Sequence, residues 1–389
     1  MNINRNSFLL VLLLTVLPTF LSAQKNVKYM DVFYKKEMKS LQTAIQKNFY
    51  DKASGYYFVV VDPAKREKKG DYLREYTYLW SLCAMYQAAN EIEKLDPSAN
   101  LMDPLLHIMN DYLNPAPPKP GYTDYIMKLK PGERYYDDNQ WIGITALDAF
   151  KRTKKKSDLV LGKAMYDFMM TGYNSVLGGG IYWKEGSTSS KNTCSNGPGV
   201  LVALQLYQAT KDKRYLKSAL KIYNWTNEKL QAPSGLFYDN IRTKDGSLDK
   251  VTLSYNTGTM LESNVYLYEI TGDKKYLNRA NAIAESSLSF FYGGDKFRDD
   301  YWFNAVLLRG YQHLLKYNKD TKYILGFKKC LDNVLQDEKN AQGLFTGRDG
   351  VRNLVDQGGM LEILARYAWL ESRYNLTGKS TLVAKVPVK

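Results

Sequence analysis

The segment TKDKRYLKSAL at residues 210–220 recurs as TGDKKYLNRAN at residues 271–281. Residues 153–163 (TKKKSDLVLGK) and 319–329 (KDTKYILGFKK) are weaker copies of the same pattern. Each copy is a short polar turn between two segments with helical periodicity. The segment before the turn is apolar on most sides, whereas the segment after it carries one apolar stripe among Lys and Glu. Each turn therefore joins a buried helix to a half-exposed helix.

Counting these segments gives six buried and six half-exposed helices. The predicted inner helices lie near residues 73–91, 139–152, 197–210, 257–271, 301–317 and 357–373. The predicted outer helices lie near residues 28–48, 98–113, 157–171, 214–230, 275–291 and 322–336. Units of roughly 45–60 residues are too long and too uneven for a regular solenoid of short repeats. The sequence therefore predicts an all-α protein, an (α/α)6 toroid of six inner and six outer helices.

Glycine-aromatic clusters recur between an outer helix and the next inner helix. They are SGYYFVVV at residues 54–61, GGGIYWKEG at 178–186, SGLFYDNI at 234–241 and QGLFTGR at 342–348. Such clusters are typical of short strands and tight turns. We therefore expect short β-hairpin loops at one end of the ring, and long loops on one face of a rigid scaffold commonly carry function.

The first 23 residues have the features of a signal peptide. Arg5 precedes an apolar run at residues 8–17, and small residues close the segment at Ser22 and Ala23. We expect an exported protein, periplasmic or extracellular, with no stable membrane insertion after cleavage, since no later run approaches ~20 apolar residues. No linker divides residues 24–389, which are predicted to form a single domain and a monomer.

The composition argues against several classes of site. The formal charge of +14 is dispersed, and its densest run, residues 151–158, lies where Lys and Arg suit a helix C-terminus, so no nucleic-acid partner is expected. The three cysteines, Cys83, Cys194 and Cys330, are far apart, and no CxxC motif or histidine cluster accompanies them. They are predicted to be buried and structural, and neither a metal nor another cofactor is expected.

Aromatic residues are abundant, with 32 Tyr, 6 Trp and 14 Phe. Sugar rings pack their C–H faces on aromatic rings, so aromatic loops at one end of the ring suit a polysaccharide. The candidates in the loops are Tyr56, Tyr57, Tyr135, Tyr136, Tyr182, Trp183 and Tyr238. Any one of them can serve only to anchor its loop; as a group they favour a binding cleft.

Asp137 and Asp138 stand side by side at the start of an inner helix. A helix cap explains one aspartate, at about 1 kcal/mol, but not the second. Two carboxylates held close together and partly desolvated resist double ionisation, which leaves one as an acid and the other as a charged base or nucleophile. Glycoside hydrolysis uses such a pair, and retaining enzymes place the two carboxyl groups about 5–5.5 Å apart.

Five segments together resemble glycoside hydrolase family 76, the α-1,6-mannanases, over nearly the whole of residues 24–389. They are YYDDNQWIGITALDAFKRT at residues 135–153, GGGIYWKEG at 178–186, SNGPGVLVALQLYQAT at 195–210, SYNTGTMLESNVYLYEITGD at 254–273 and DQGGMLEILARYA at 356–368. The resemblance implies an endo-α-1,6-mannanase-like enzyme on an (α/α)6 toroid, acting on α-mannan without a metal. By that match Asp137 is the nucleophile and Asp138 the acid/base.

The predicted substrate-binding residues come from three sources. Tyr136 and Trp183 belong to the aromatic group, and Tyr255 and Asn256 match a family segment. That segment departs from the family at Thr257, where a glutamine is expected. Two further residues, Asn196 and Asp356, each lie just ahead of a predicted inner helix, where they can bind sugar hydroxyls or cap the helix.

Two other functions remain open from the sequence. An (α/α)6 enzyme acting on uronic-acid sugars, such as an unsaturated glucuronyl hydrolase, would suit the basic net charge, but the loops do not concentrate Arg, Lys or His. A non-catalytic glycan-binding protein on the same scaffold would keep the aromatics without needing both Asp137 and Asp138.

Overall fold

The computed structural model describes residues 33–66, 75–130, 132–374 and 376. In this part of the chain there are twelve main α-helices. The outer helices are α1 (Phe33–Phe49), α3 (Met102–Met109), α5 (Lys156–Met169), α7 (Lys213–Leu230), α9 (Lys274–Tyr292) and α11 (Lys322–Asp337). The inner helices are α2 (Leu79–Leu95), α4 (Tyr136–Thr153), α6 (Thr193–Thr210), α8 (Ser254–Thr271), α10 (Tyr301–Asn318) and α12 (Leu354–Arg373). The predicted signal peptide, residues 1–23, lies outside the described residues.

The inner helices form a closed ring. Each packs against the next in the order α2, α4, α6, α8, α10, α12, and α12 returns to α2. Each outer helix packs on an inner one: α1 on α12, α3 on α2, and α5, α7, α9 and α11 on the inner helices that directly precede them. The predicted (α/α)6 toroid is confirmed. None of the helices described is long and apolar enough to cross a membrane.

The repeated junction has a local physical cause. Lys211 and Gly272 adopt left-handed conformations, with φ of 62° and 70°, which end α6 and α8. The next residue, Asp212 or Asp273, then accepts a hydrogen bond from the backbone N–H two residues later and caps the following outer helix. The recurring sequence is therefore a helix stop followed at once by a helix start.

The glycine-aromatic clusters form the predicted turns and short pairings. Gly55, Gly235 and Gly343 take positive φ in matching turns, each followed by an antiparallel bridge back to the end of the outer helix. Longer strands occur in two antiparallel sheets. One pairs β1 (Leu113–Asn114) with β2 (Gly121–Tyr122), and the other has the order β3 (Ser190–Asn192), β4 (Tyr238–Arg242), β5 (Leu248–Thr252).

Buried amide side chains tie these loops to the inner helices. Asn196, the fourth residue of α6, accepts from the Ile181 N–H at 2.7 Å and donates to the Ile181 carbonyl at 2.9 Å. Asn139 and Gln357, the fourth residues of α4 and α12, hold Tyr122 and Phe345 in the same two-bond manner. We call these three side chains the amide clamps.

The predicted role of Asn196 in substrate binding is therefore corrected. Its side chain is fully buried, and a third hydrogen bond, to the Asn192 carbonyl at 2.7 Å, uses its remaining donor. Thr257 is the fourth residue of α8, the position at which a clamp would hold the loop at Phe237. Its hydroxyl is buried without a hydrogen-bond partner among the described residues.

Candidate active site

A cavity of about 1740 Å³ opens at the end of the ring where the inner helices begin, here called the ring mouth. The first turns of all six inner helices contribute residues to its wall, and three of the four glycine-aromatic loops contribute to its rim. The fold therefore directs six helix N-termini toward one space. Asp137 and Asp138 line this cavity, from the first turn of α4.

Neither aspartate caps its helix. Tyr135 occupies the N-cap position, and its side chain makes no capping bond. The start of α4 is instead held from outside, because the Tyr136 N–H donates to the Trp183 carbonyl and the thiol of Cys83 donates to the Asp138 carbonyl. The capping interpretation therefore does not explain why the Asp138 carboxyl group is present.

The Asp137 carboxylate is held by groups from neighbouring elements. Trp183 donates its indole N–H to Oδ2 at 3.2 Å, and the Cys194 thiol of α6 lies against the carboxylate. Burial raises the pKa of Asp137, while the thiol, the indole and the first-turn N–H groups favour its charged form. Asp137 thus has several groups that stabilise a negative charge.

Asp138 has no such support. Burial raises the pKa of Asp138 well above its usual range, and the charges of Asp137 and Asp124 raise it further. The two carboxyl groups share one environment but differ in the donors that face them. A single proton shared by the pair is therefore held on Asp138, and the charge on Asp137.

Aromatic rings line the cavity beside the pair. Trp302 lies in edge contact with Trp80 and Trp141, at centroid distances of 6.0 and 5.6 Å. Tyr255 of α8 stacks on Phe303 of α10 at a centroid distance of 4.2 Å. These flat apolar surfaces next to polar groups suit the faces of sugar rings.

The predicted aromatic group is only partly correct. Tyr135 and Trp183 line the cavity, and Trp183 is 40% exposed. Tyr56, Tyr57, Tyr136, Tyr182 and Tyr238 are not among its lining residues. Tyr136, predicted to bind substrate, is buried against Gly172 and Phe168 and bonds to Thr171, so it supports the loop. The Tyr136 ring is buried because it lies next to the core, where removing its apolar surface from water is favourable.

The remaining predicted binding residues divide in a similar way. Tyr255 and Asp356 line the cavity. Asn256 lies behind it, fully buried, with its amide donating to Asp239 at 3.3 Å. Asp356 keeps one buried oxygen, Oδ1, without a partner among the described residues, and burial with the charge of Asp300 raises its pKa to about 7.

Sequence reasoning missed the acidity of the cavity. Its wall carries nine carboxyl groups, from Glu75, Asp124, Glu133, Asp137, Asp138, Asp239, Asp300, Asp349 and Asp356. Among the described residues, Lys130 is the one cationic side chain that lines it. The net charge of +14 therefore resides elsewhere on the molecule and says nothing about the ligand. No group of three His, Cys, Asp or Glu in the described residues is arranged to hold a metal ion.

The chain is similar in sequence and in structure to mannosidases. The mannan endo-1,6-alpha-mannosidase of Candida glabrata is 27% identical over 185 residues, 43% of this chain and 42% of that protein. The chain thus aligns with less than half the length of this curated relative. A family 76 mannosidase structure from Bacteroides thetaiotaomicron is similar with a TM-score of 0.76 at 26% identity, covering 88% of this chain and 99% of that one.

A further similar structure is an inactive variant of the α-1,6-mannanase from a Salegentibacter species, bound to α-1,6-mannotriose, with two adjacent aspartates replaced by asparagine. It covers 87% of this chain and 100% of that chain, with a TM-score of 0.71 at 22% identity, and supports the fold. The sequence model of glycosyl hydrolase family 76 matches residues 34–340, most of the chain. This protein therefore belongs to glycosyl hydrolase family 76.

Proposed function

We propose that this protein hydrolyses α-1,6-mannosidic bonds of mannan with retention of configuration. The observation that carries the proposal is the adjacent Asp137 and Asp138 in the cavity wall, one supported as an anion and the other not. Family membership and the α-1,6-mannotriose bound to the Salegentibacter relative support the choice of bond.

The proposed reaction has two steps. Asp137 attacks the anomeric carbon while Asp138 gives its proton to the departing O6 of the next mannose, so that the C–O bond breaks and a glycosyl-Asp137 ester forms. Water then attacks the anomeric carbon, losing its proton to Asp138 and releasing Asp137. Two inversions at one carbon give net retention.

The acidity of the cavity favours a neutral mannan over a uronic-acid polymer as the substrate. The ionised members of these nine carboxyl groups would repel a uronic-acid polymer, since its own carboxylates would be brought among like charges in a partly desolvated site. A neutral mannan incurs no such repulsion, and its hydroxyls can donate to the same carboxylates. Asp356, with its unpartnered Oδ1, and Trp183 and Tyr255 are the proposed binding residues.

The test is incubation of the purified protein with unbranched α-1,6-mannan, branched mannan and polyuronate, with products measured by mass spectrometry. We expect oligosaccharides from unbranched mannan and none from polyuronate. Release of unsaturated uronic acid with mannan untouched would move the assignment to the uronic-acid alternative. Binding of mannan without products would favour a non-catalytic glycan-binding protein.

Retention is tested separately by proton NMR of the first products. The α-anomer should appear first and mutarotate later. Initial release of the β-anomer would remove Asp137 as nucleophile. Asp137→Asn should abolish turnover, whereas Asp212→Asn, a change at an exposed cap of α7, should leave it unchanged.

We also propose that the protein is exported and monomeric, with cleavage after Ala23. The basis is the charged start, apolar run and small-residue end of the first 23 residues. The intact mass of protein recovered from the periplasm or medium, together with its elution volume, tests both points. A full-length cytoplasmic product or a dimeric elution volume would contradict them.

A further inference from the structure

Lys191 is a buried cation surrounded by carbonyl oxygens. It is the second residue of β3, and its side chain is fully buried. Its ammonium donates to Asn174 Oδ1 at 2.7 Å, to the Val176 carbonyl at 2.8 Å and to the Gly179 carbonyl. An ammonium has three N–H donors, so all of them are used. The acceptors all belong to residues 174–180, here called the carbonyl loop.

The backbone of the carbonyl loop is shaped around this ammonium. Leu177, Gly178, Gly179 and Gly180 have positive φ of 56°, 86°, 149° and 86° in succession. Such angles cost little for glycine but are unfavourable for leucine, and a run of glycines is intrinsically flexible. The bonds to the ammonium therefore supply a restraint that the sequence of this loop lacks.

Lys191 differs from other buried cations of the fold in having no anionic partner among the described residues. Arg134, which also binds the carbonyls of a loop, pairs with Glu185 at 2.6 Å, and Arg309 pairs with two carboxylates. The Tyr182 ring lies 4.8 Å from the Lys191 ammonium. Burial lowers the pKa of Lys191 to about 8, so the side chain is still charged at neutral pH. Because a buried unpaired charge is unfavourable, its presence indicates a role that a neutral side chain cannot fill.

The carbonyl loop leads directly to Trp183 and, through it, to Asp137. Asn174, which binds the ammonium through Oδ1, donates its amide N–H to the Tyr182 hydroxyl at 2.9 Å. The backbone N–H of Trp183 donates to the carbonyl of the residue before Lys191 at 3.3 Å. The Trp183 indole N–H then reaches Asp137 Oδ2 at 3.2 Å. Each step of this series is a hydrogen bond or a peptide bond.

We propose that Lys191 is a positioning residue whose ammonium fixes the carbonyl loop and thereby holds the Trp183 indole against Asp137. This inference rests on the proposed role of Asp137 as nucleophile. Without the ammonium, the loop carbonyls lose their shared donor. Trp183, which is 40% exposed and lines the cavity, is then free to turn away from the carboxylate.

The experiment compares kcat and KM on unbranched α-1,6-mannan for Lys191→Met, Trp183→Phe and the double variant. Methionine keeps most of the apolar volume of lysine but removes its charge and its donors. Lys191→Met should lose roughly 10-fold in kcat/KM, the scale of one hydrogen bond to a charged group. The double variant should lose no more than Trp183→Phe alone, because both changes remove the same contact.

Lys250→Met is the matched control, at an exposed position of β5 in the same sheet, and it should keep the wild-type kcat and KM. Losses that multiply in the double variant would mean that Lys191 supports the fold without acting through Trp183, and would overturn the inference.

Chemical rescue separates the ammonium from the volume that the side chain fills. Lys191→Ala removes three methylene groups and the nitrogen, which together match propylammonium. At pH 7, added propylammonium should restore the kcat/KM of this variant several-fold, whereas 1-propanol, of the same length but uncharged, should not. Equal rescue by propanol would show that only the volume matters, against the proposal.

The indole N–H signal of Trp183 gives a readout that needs no substrate. In proton–nitrogen NMR spectra it is identified by its loss in Trp183→Phe, and it should move toward the position of free indole in Lys191→Met but not in Lys250→Met. Asn174→Ala keeps the lysine but removes one of its acceptors, so it should cause a smaller shift in the same direction and serves if Lys191→Met does not fold.

The NMR signal also separates this inference from the proposed function. If wild type fails to hydrolyse mannan, the proposed function fails, while the indole signal still tests the positioning of Trp183. An unchanged indole signal in whichever of Lys191→Met and Asn174→Ala folds would show that the ammonium does not hold Trp183 in place.

Discussion

At the scale of single residues, the site is built from groups that work against folding. Asp137, Asp138 and Asp356 are carboxyl groups whose pKa values burial raises, so each is less favourable in the folded chain than in water once it is charged. A carboxylate kept only to cap a helix would show the opposite shift, because the helix dipole favours its charge. The direction of these shifts is what separates a reactive pair from a structural one.

Asp138→Asn should therefore lose activity and gain stability. Removal of the proton donor should cost roughly 10²–10⁴-fold in kcat, and less on substrates with good leaving groups. The folded-state pKa of Asp138 lies above its unfolded value, so the charged form opposes folding increasingly as pH rises, and asparagine removes that effect. Thermal unfolding at pH 5 and pH 8 should show a gain over wild type that grows with pH. A variant that is active or less stable at pH 8 would contradict this assignment.

For Asp356→Asn the expected change in stability can be calculated from the pKa of Asp356. With a folded pKa of about 7 against ~3.9 for a free Asp, the native state retains the proton over that interval, and charging Asp356 costs at most about 4 kcal/mol by pH 8. The variant should be more stable than wild type at pH 8 and equal to it at pH 4, as measured by urea unfolding. KM for mannan should rise with kcat little changed, since the unpartnered Oδ1 is a proposed contact to the sugar.

A substitution at Gly347 tests the position of the Asp356 carboxylate without replacing Asp356 itself. A Cβ on Gly347 would lie 2.1 Å from Asp356 Oδ2, so Gly347→Ala must displace the carboxylate. Gly246, whose Cβ would meet nothing within 4 Å, is the control, although its φ of 71° also disfavours alanine. Gly347→Ala should raise KM and Gly246→Ala should not. Equal KM values in the two variants would mean that the position of Asp356 does not affect binding.

At the scale of elements, the sequence predicted where helices alternate but not how loops are fixed to them. The inner helix expected near 197–210 begins at Thr193, because its polar first turn faces the cavity and does not read as helix from periodicity. The outer helix expected near 98–113 is only Met102–Met109, followed by a 3-10 turn and β1. Asn196 was misassigned for a related reason: its partner, Ile181, is remote in sequence. The aromatic loops were placed at the correct end, but burial of individual rings depends on tertiary contacts.

Substitutions at the clamp positions of α6 and α8 should change the free energy of unfolding in opposite directions. Asn196→Ala removes three hydrogen bonds and leaves the Ile181 N–H and carbonyl buried without them, at about 3 kcal/mol. Thr257→Gln in α8 should add a clamp at Phe237 and stabilise by about 1 kcal/mol, since the Thr257 hydroxyl is unpartnered. Urea unfolding measures both. KM of folded Asn196→Ala should equal that of wild type; a raised KM would restore this residue to the binding site.

At the scale of the whole molecule, a belt of buried charge crosses the ring axis below the cavity. Arg309 of α10 bonds both to Glu262 of α8, at 2.6 Å, and to Asp148 of α4, which stands on the opposite side of the ring. Arg366 of α12 links Glu362 to Glu91 of α2, and Gln205 of α6 joins Asp148 at 2.8 Å. Every inner helix thus contributes, from about the third or fourth turn, roughly 12–18 Å deeper than the mouth.

The belt links neighbouring inner helices and, through the Arg309–Asp148 pair, two helices that are not neighbours, and it should control stability without touching the chemistry. Arg309→Met leaves Asp148 and Glu262 buried without their cation, which should cost about 3–5 kcal/mol of unfolding free energy. Lys155→Met, which breaks an exposed pair with Asp103, should cost less than about 1 kcal/mol.

Burial alone would raise the pKa of Glu262, but Arg309 and His313 hold it well below the usual range. A carboxyl group whose pKa is lowered by folding stabilises the native state at pH values above its unfolded pKa of ~4.3. That stabilisation is lost as the pH falls, so wild type should lose stability below about pH 4.5 more steeply than Arg309→Met. Urea unfolding from pH 3 to 8 measures both effects, while kcat of the folded fraction should stay unchanged. Equal costs for the two variants at pH 7 would show that the axial bonds add no more than a surface pair.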